Sequence, residues 1–203
     1  LGDDVARAAH DHGVADAHHH AAEDPRVAAI VVGEPSCLSA IKDDWLGLKL
    51  ATPKALRQKI AAKAVRGGDF VETAGSTHPR WQTTPAPTQA APGPRVLLHG
   101  HCHQKTLWGV DTSARLLRRL VGDRLTVLDT GCCGMAGSFG FDRNKFDLSM
   151  RIGETSLFPQ VRAAGPEAIV VAPGTSCRHQ VHDGLGRRAV HPVELAADVL
   201  IAR

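Results

Sequence analysis

The chain has 203 residues, 43% of them hydrophobic and 22% charged, and carries a formal net charge of +3. That fits a globular protein of one domain or two small ones and leaves no run near the roughly 18 apolar residues of a membrane span. Tyr is absent, aromatics make up 4% and no basic stripe appears, which excludes a stacking platform and makes nucleic acid an unexpected partner.

The opening stretch DDVARAAHDHGVADA (3–17) has helical character, and the chain begins with Leu1 rather than Met. Together these read as a piece cut from a longer protein. His18–His20 come next as a solvated helix end. RVAAIVVGEPS (26–36) is an unbroken apolar run closed by Gly and Pro, which predicts a strand; CLSAIKDDWLGL (37–48) continues as a helix. TPKALRQKIAAKAVRGG (52–68) predicts one helix, with Pro53 in its first turn and Gly67–Gly68 at its end. AGSTHPRWQTTPAPTQAAPGP (74–94) is Pro/Thr/Ala-rich and predicts a surface linker between two halves.

Beyond the linker, PRVLLHGH (94–101) predicts a second strand, leading into a helix with Leu107, Val110, Leu116, Leu117 and Leu120 near helical spacing. RLTVLDTG (124–131) and EAIVVAPGTS (167–176) predict a third and a fourth strand, and HPVELAADVLIAR (191–203) a terminal amphipathic helix. Unbroken apolar strands alternating with helices predict an α/β fold with parallel sheets covered on both faces. AIVVGEPSCLSAI (29–41) also resembles AIVVAPGTSCRHQV (168–181): strand, small-residue turn with Pro, then Ser-Cys opening a helix. A duplicated unit explains the likeness economically.

The five cysteines, Cys37, Cys102, Cys132, Cys133 and Cys177, each fall just after a predicted strand. In an open parallel sheet the carboxyl ends of the strands share the edge where ligands bind, so residues 140 positions apart are expected in one crevice. So few cysteines in a chain this long do not make a secreted disulfide scaffold, and a reducing compartment with metal-binding or redox thiols fits better. Clustered thiolates repel one another, and a metal removes the repulsion; soft sulfur selects iron–sulfur clusters, zinc or Cu(I). There is no C-x2-C pair of a zinc ribbon and no ferredoxin-type cysteine run. The glycines of GCCGMAGSFG (131–140) match no phosphate loop. Gly131 and Gly134 are expected to let the backbone approach an inorganic centre closely.

HGHCHQK (99–105), GCCGMAGSFG (131–140) and GTSCRHQ (174–180), in that order, resemble the cysteine-rich CCG domain. That domain occurs in heterodisulfide reductases, in the iron–sulfur subunits of glycolate oxidase and anaerobic glycerol-3-phosphate dehydrogenase, and in the C-terminal region of bacterial FAD-linked oxidases, which is the closest likeness. The resemblance covers roughly residues 25–203. It implies two pseudo-repeated Rossmann-like halves with short parallel sheets flanked by helices: a partial first repeat over 1–74, the linker over 75–94 and a complete second repeat over 95–203. It implies that Cys102, Cys132, Cys133 and Cys177 bind an iron–sulfur centre of 4Fe–4S type, zinc being the alternative. Cys37 then stands as the last cysteine of the first repeat and is expected at the same crevice. The family's final element is often Cys-x-x-Cys, whereas Gln180 stands at that offset from Cys177.

The resemblance further implies an electron-transfer module of an FAD-linked 2-hydroxy-acid oxidase or dehydrogenase, not active alone. FAD would sit on another domain or a partner, accompanied by a ferredoxin-like module, with a quinone or similar acceptor. The expected location is the cytoplasm, or the inner face of the membrane as a peripheral protein. A structural zinc domain that mediates subunit assembly is the alternative, and a metal-free redox pair at Cys132–Cys133 a third reading. His99, His101 and His103 alternate through HGHCH; either one of them is a ligand or outer-shell donor, or they are polar tips of a strand end. Among histidines, His101, His103 and His179 are the further metal candidates. Gln104 is expected to orient a cysteine or an acceptor, and Lys105 to be an ordinary exposed residue. No Ser/His/Asp triad is identifiable, and no catalytic residue is assigned.

Overall fold

A computed structural model describes residues 20–75, 77 and 92–201. The helix expected over 3–17, His18 and His19, and most of the linker expected over 75–94 lie outside the described residues. The chain divides into two compact units, Leu1–Gly67 and Gly68–Arg203.

In the first unit, strands β1 (Ile30–Val32) and β2 (Ala64–Arg66) pair in parallel, with Ile30 opposite Ala64. Helix α1 (Pro35–Ser39) starts at Glu34, whose carboxylate accepts from the Ser36 N–H at 3.4 Å and the Ser36 hydroxyl at 3.0 Å. A π-helical turn, Ala40–Asp44, and a helical turn, Trp45–Gly47, connect to α2 (Lys54–Lys63). Arg57 of α2 is buried and gathers that connection, donating to the carbonyls of Trp45, Leu48 (2.9 Å) and Thr52 (3.1 Å). Leu38, Ile41, Ile60, Ala61 and Ala64 supply buried apolar surface.

The helix expected over 52–68 needs correction. It ends at Lys63; Ala64–Arg66 is a strand, and Gly67–Gly68 open the next helix, α3 (Gly67–Gly75), rather than close the last one. Three residues carry no readable period, and pairing with β1 overrides their helical neighbours.

The second unit holds a four-stranded sheet of β3 (Val96–Leu98), β4 (Leu125–Val127), β5 (Ile169–Val171) and β6 (Ala189–Val190), all parallel, in the order β4-β3-β5-β6. Its helices are α3, which lies in this unit from Gly68 on, α4 (Cys102–Leu107), α5 (Asp111–Val121), α6 (Phe146–Ala163), α7 (Thr175–Leu185) and α8 (Pro192–Ile201). The pleat alternates between two cores. Leu97 and Val170 join Leu157, Phe158 and Val161 of α6 and Val181 of α7. Val96, Leu98 and Val171 join Leu116, Leu117 and Leu120 of α5 and Leu195 of α8. Helices therefore cover both faces, which is why the strands read as unbroken apolar runs. The architecture is α/β, with short parallel sheets flanked by helices, as expected. No described helix is long and apolar enough to cross a membrane.

The strand order reverses at β3. The chain leaves β3 for β4 on one side and returns to β5 on the other, which opens a crevice beyond the carboxyl ends of β3 and β5. Pairing runs to the rim of that crevice: the His99 N–H donates to the Val171 carbonyl and the Leu128 N–H to the Leu98 carbonyl, both at 2.9 Å.

Candidate metal centre

Three chain segments meet at this rim. β3 delivers His99, His101 and Cys102; β4 delivers Thr130, Cys132 and Cys133; β5 delivers Cys177 in the first turn of α7. The four thiols lie in series. All are free thiols, with side-chain hydrogen bonds between Cys102 and Cys132, Cys132 and Cys133, and Cys133 and Cys177. The series runs inward, since Cys102 and Cys132 are partly exposed while Cys133 and Cys177 are buried within the α6–α7 core.

Hydrogen bonding splits the four into alternating states. Cys132 is held far below the ordinary thiol pKa by hydrogen bonds from Cys102 and then Cys133, helped by the Gly134 N–H, which donates to its Sγ at 3.4 Å. Cys177 is likewise held down, first by Cys133 and then by the ring of His99. Cys102 is pushed up by its bond to Cys132 and by burial, and Cys133 by its bonds to Cys132 and Cys177 and by burial. Four adjacent sulfurs cannot all ionise on their own, so two hold protons for the other two. A bound cation lets all four act as thiolates.

His99 completes the inner end. It is fully buried, and a ring nitrogen of His99, Sγ of Cys133 and Sγ of Cys177 lie within 4.8 Å of one another. Its Nδ1 is 2.7 Å from the Thr130 hydroxyl. Its Nε2 is buried with no hydrogen-bond partner among the described residues: the ring acts on Cys177 without reaching full hydrogen-bond geometry. Such an orphan costs about 1–3 kcal/mol unless something fills its lone pair. Four soft sulfurs beside an unpartnered imidazole nitrogen make a donor set suited to iron–sulfur or zinc.

The other expected residues divide between the rim and the surface. His101 caps α4, its Nδ1 accepting from the His103 N–H at 3.2 Å and its Nε2 lying 3.5 Å from the Ser176 hydroxyl. His103 is exposed and edge-on to His101 at 5.3 Å; His179 is exposed and edge-on to Phe141 at 5.7 Å. Gln104 is fully buried and donates to the Ser113 hydroxyl at 3.0 Å. Gly131 is exposed, and its N–H donates to the Ser156 hydroxyl at 3.2 Å. Gly134 is buried, with φ of 101°. Cys37 lies in the first unit, exposed on α1. It is the third residue of its helix, as Cys177 is of α7, and both helices come after an Ile-Val-Val strand.

The double-cysteine loop is tied down at many points. Ser149 of α6 donates to the Gly134 carbonyl at 2.9 Å, and Gln180 of α7 donates to the Ser149 carbonyl at 2.9 Å and hydroxyl at 3.1 Å. Gln160 donates to the Asp129 carbonyl at 2.7 Å. Lys105, expected as an ordinary surface residue, donates from Nζ to the carbonyls of Thr130 and Gly131 (2.9 Å for the latter). It holds the approach to Cys132 rather than meeting only solvent. Lys105→Met should leave the secondary structure intact and speed metal loss to a competing chelator about tenfold, as losing an outer partner of a metal site does. An unchanged release rate would show that the tie is dispensable.

His99 stands apart from the three histidines singled out as metal candidates. A signal for it exists: it lies two residues beyond Leu97, and the pleat carries both to the face that holds Cys133 and Cys177. The strand ends at Leu98 and its pairing at the His99 N–H, so the alternation does not extend to His101 and His103.

Comparison with known proteins places this region among dehydrogenase sequences. The chain is 30% identical over 171 residues to a subunit of the anaerobic glycerol-3-phosphate dehydrogenase of Escherichia coli, an alignment covering 84% of this chain and 40% of that protein. It is 34% identical over 114 residues to the D-2-hydroxyglutarate dehydrogenase of Pseudomonas putida, covering 55% of this chain and 11% of that protein. The Escherichia coli D-2-hydroxyglutarate dehydrogenase is 30% identical over 115 residues, covering 56% and 11%. The chain thus spans well under half the length of the curated relatives it matches, and it is related to a region of each. No protein-family model matches it, and no solved structure does.

Proposed function

We propose that this chain is a CCG-type iron–sulfur electron-transfer domain of an FAD-linked 2-hydroxy-acid dehydrogenase. The single observation that carries the proposal is the series of four thiols, Cys102, Cys132, Cys133 and Cys177, assembled from three strand ends at the crevice of the second unit. Those four are the proposed ligands of a 4Fe–4S-type centre. The chain is read as a partial first repeat over 1–74, a linker over 75–94 and a complete second repeat over 95–203, with Cys37 the counterpart of Cys177.

The arrangement favours a polynuclear centre over one zinc ion. Among the described residues, His99, Cys133 and Cys177 form the set whose ligand atoms all lie within 4.8 Å of one another; Cys102 and Cys132 stand outside that set and join it through the hydrogen bond between Cys132 and Cys133, as a centre of several metal atoms would need. When bound, an iron–sulfur centre takes up and releases single electrons at a potential set by hydrogen bonds to its sulfurs and by its exposure. The protein supplies those settings. The Gly134 N–H donates to Cys132, the α6–α7 core excludes water from Cys133 and Cys177, and the half-exposed Cys102 and Cys132 form the side a partner can approach. Hence the proposed partners are an FAD-containing dehydrogenase domain or subunit, a ferredoxin-like module, and a quinone or similar acceptor. The relatives' names, a glycerol-3-phosphate dehydrogenase subunit and 2-hydroxyglutarate dehydrogenases, support this context; the location proposed with it is the cytoplasm or the inner face of the membrane.

Anaerobic purification tests the proposal. The expected product is brown, with iron and acid-labile sulfide in comparable amounts. A colourless protein that stays folded with stoichiometric zinc and no iron would replace electron transfer with structural zinc binding.

A further inference from the structure

We infer that His99 ligates the metal centre directly through Nε2, beside Cys133 and Cys177, making it a mixed sulfur–nitrogen site. The inference rests on the proposed iron–sulfur centre and adds a ligand to it. Four observations carry it. The imidazole is fully buried. One of its nitrogens lies within 4.8 Å of two thiols that are themselves within that distance of each other. The Nε2 has no hydrogen-bond partner among the described residues. The Nδ1 is 2.7 Å from the Thr130 hydroxyl.

The last of these fixes the chemistry. A ligating histidine coordinates with a neutral ring and donates its second N–H to an outer acceptor, which sets the tautomer and aims the lone pair. When Nδ1–H donates to Thr130 Oγ1, the Nε2 lone pair is free for a metal; without one, the ring instead faces the Cys177 thiolate as a donor. Backbone pairing holds the ring further, since the His99 N–H is locked to the Val171 carbonyl at 2.9 Å. The neighbouring polar groups are otherwise engaged. His101 caps α4 and meets Ser176, and the Gln180 carboxamide, one turn past Cys177, is spent on Ser149. A neutral imidazole brings no negative charge where a further thiolate would, and nitrogen ligation raises the reduction potential of an iron–sulfur centre, so the electron acceptor should be matched to a higher potential than a fifth thiolate would require.

The test labels the anaerobically loaded chain with nitrogen-15 histidine, after iron and sulfide have been quantified, and records pulsed EPR of the paramagnetic state. The expected result is a nitrogen coupling that changes with the label, persists in His101→Gln and disappears in His99→Ala. Thr130→Val keeps the ring but removes its partner, and should shift the coupling even if His99→Ala does not fold. A loaded centre without histidine coupling overturns this inference alone. A coupling unmoved in both the His99 and Thr130 variants assigns the nitrogen elsewhere and also overturns it. A protein that takes up neither iron nor sulfide removes the proposed centre and the inference with it.

Discussion

Cys133→Ala should abolish metal loading while most of the secondary structure survives. Cys133 is the inner link of the thiol series, hydrogen-bonded to Cys132 on one side and Cys177 on the other, and is 3% exposed. Its removal cuts the series into a partly exposed pair, Cys102–Cys132, and a lone buried Cys177. The apolar loss to the core is small, about 1 kcal/mol on the scale of one buried carbon-sized group. The loss to a metal is large. Deleting an outer partner of a bound metal costs about 10–100-fold in affinity, and deleting a ligand that joins two others should exceed that. Iron and sulfide analysis of the variant, beside its far-UV circular dichroism, reads both terms. Full iron content in Cys133→Ala would place the centre elsewhere.

Gly134→Ala should be nearly as damaging, by a different route. The backbone there has φ of 101°, outside the range L side chains readily adopt, at a cost of about 1–3 kcal/mol. Space makes it worse. An added Cβ would collide with the Ser149 carbonyl and stand 2.9 Å from Gln180 Nε2 and 3.2 Å from Ile152 Cβ. A helix carbonyl cannot rotate aside as a lysine tip could, so either the loop or α6 must shift, and Cys132 and Cys133 shift with it. The expected outcome is a melting temperature lowered by about 5 °C or more, with metal content sharply reduced. Gly131→Ala is the matched control: no heavy atom lies within 4 Å of its added Cβ, so its stability should stay within about 0.5 kcal/mol of the parent. Equal effects at both positions would mean that the packing around Gly134 does not govern the site.

The sequence carries the second unit better than the first. β3 and β5 are legible because each is a largely buried apolar run closed by Gly or Pro, and β4, half-buried at the sheet edge, because its Leu-Thr-Val-Leu run also closes at a Gly. β2 is hidden in AVR, three residues inside a helical pattern, and exists through its pairing with β1. β6 has only two residues, Ala189 and Val190, too few for any period. At the site, the thiols are legible by their recurrence after strands, a topological regularity. The ties to Lys105, Ser149 and Gln180 are not, because each joins positions 15 to 31 apart in sequence, and only the packed fold brings them together. Gln180 shows the limit most clearly: in sequence it is a polar residue three positions past Cys177, while its place in the structure gives it a bracing role.

Those ties also bear on the order in which the protein is built. The double-cysteine loop and its approach are hydrogen-bonded to α4 and α6, and Gln180 of α7 braces Ser149 in turn. Most of its ordering entropy is therefore spent when the chain folds, not when metal arrives. In the proposed role, a loop braced in this way asks little conformational rearrangement of an incoming cluster, so cluster delivery would follow folding and arrive at the partly exposed Cys102 and Cys132.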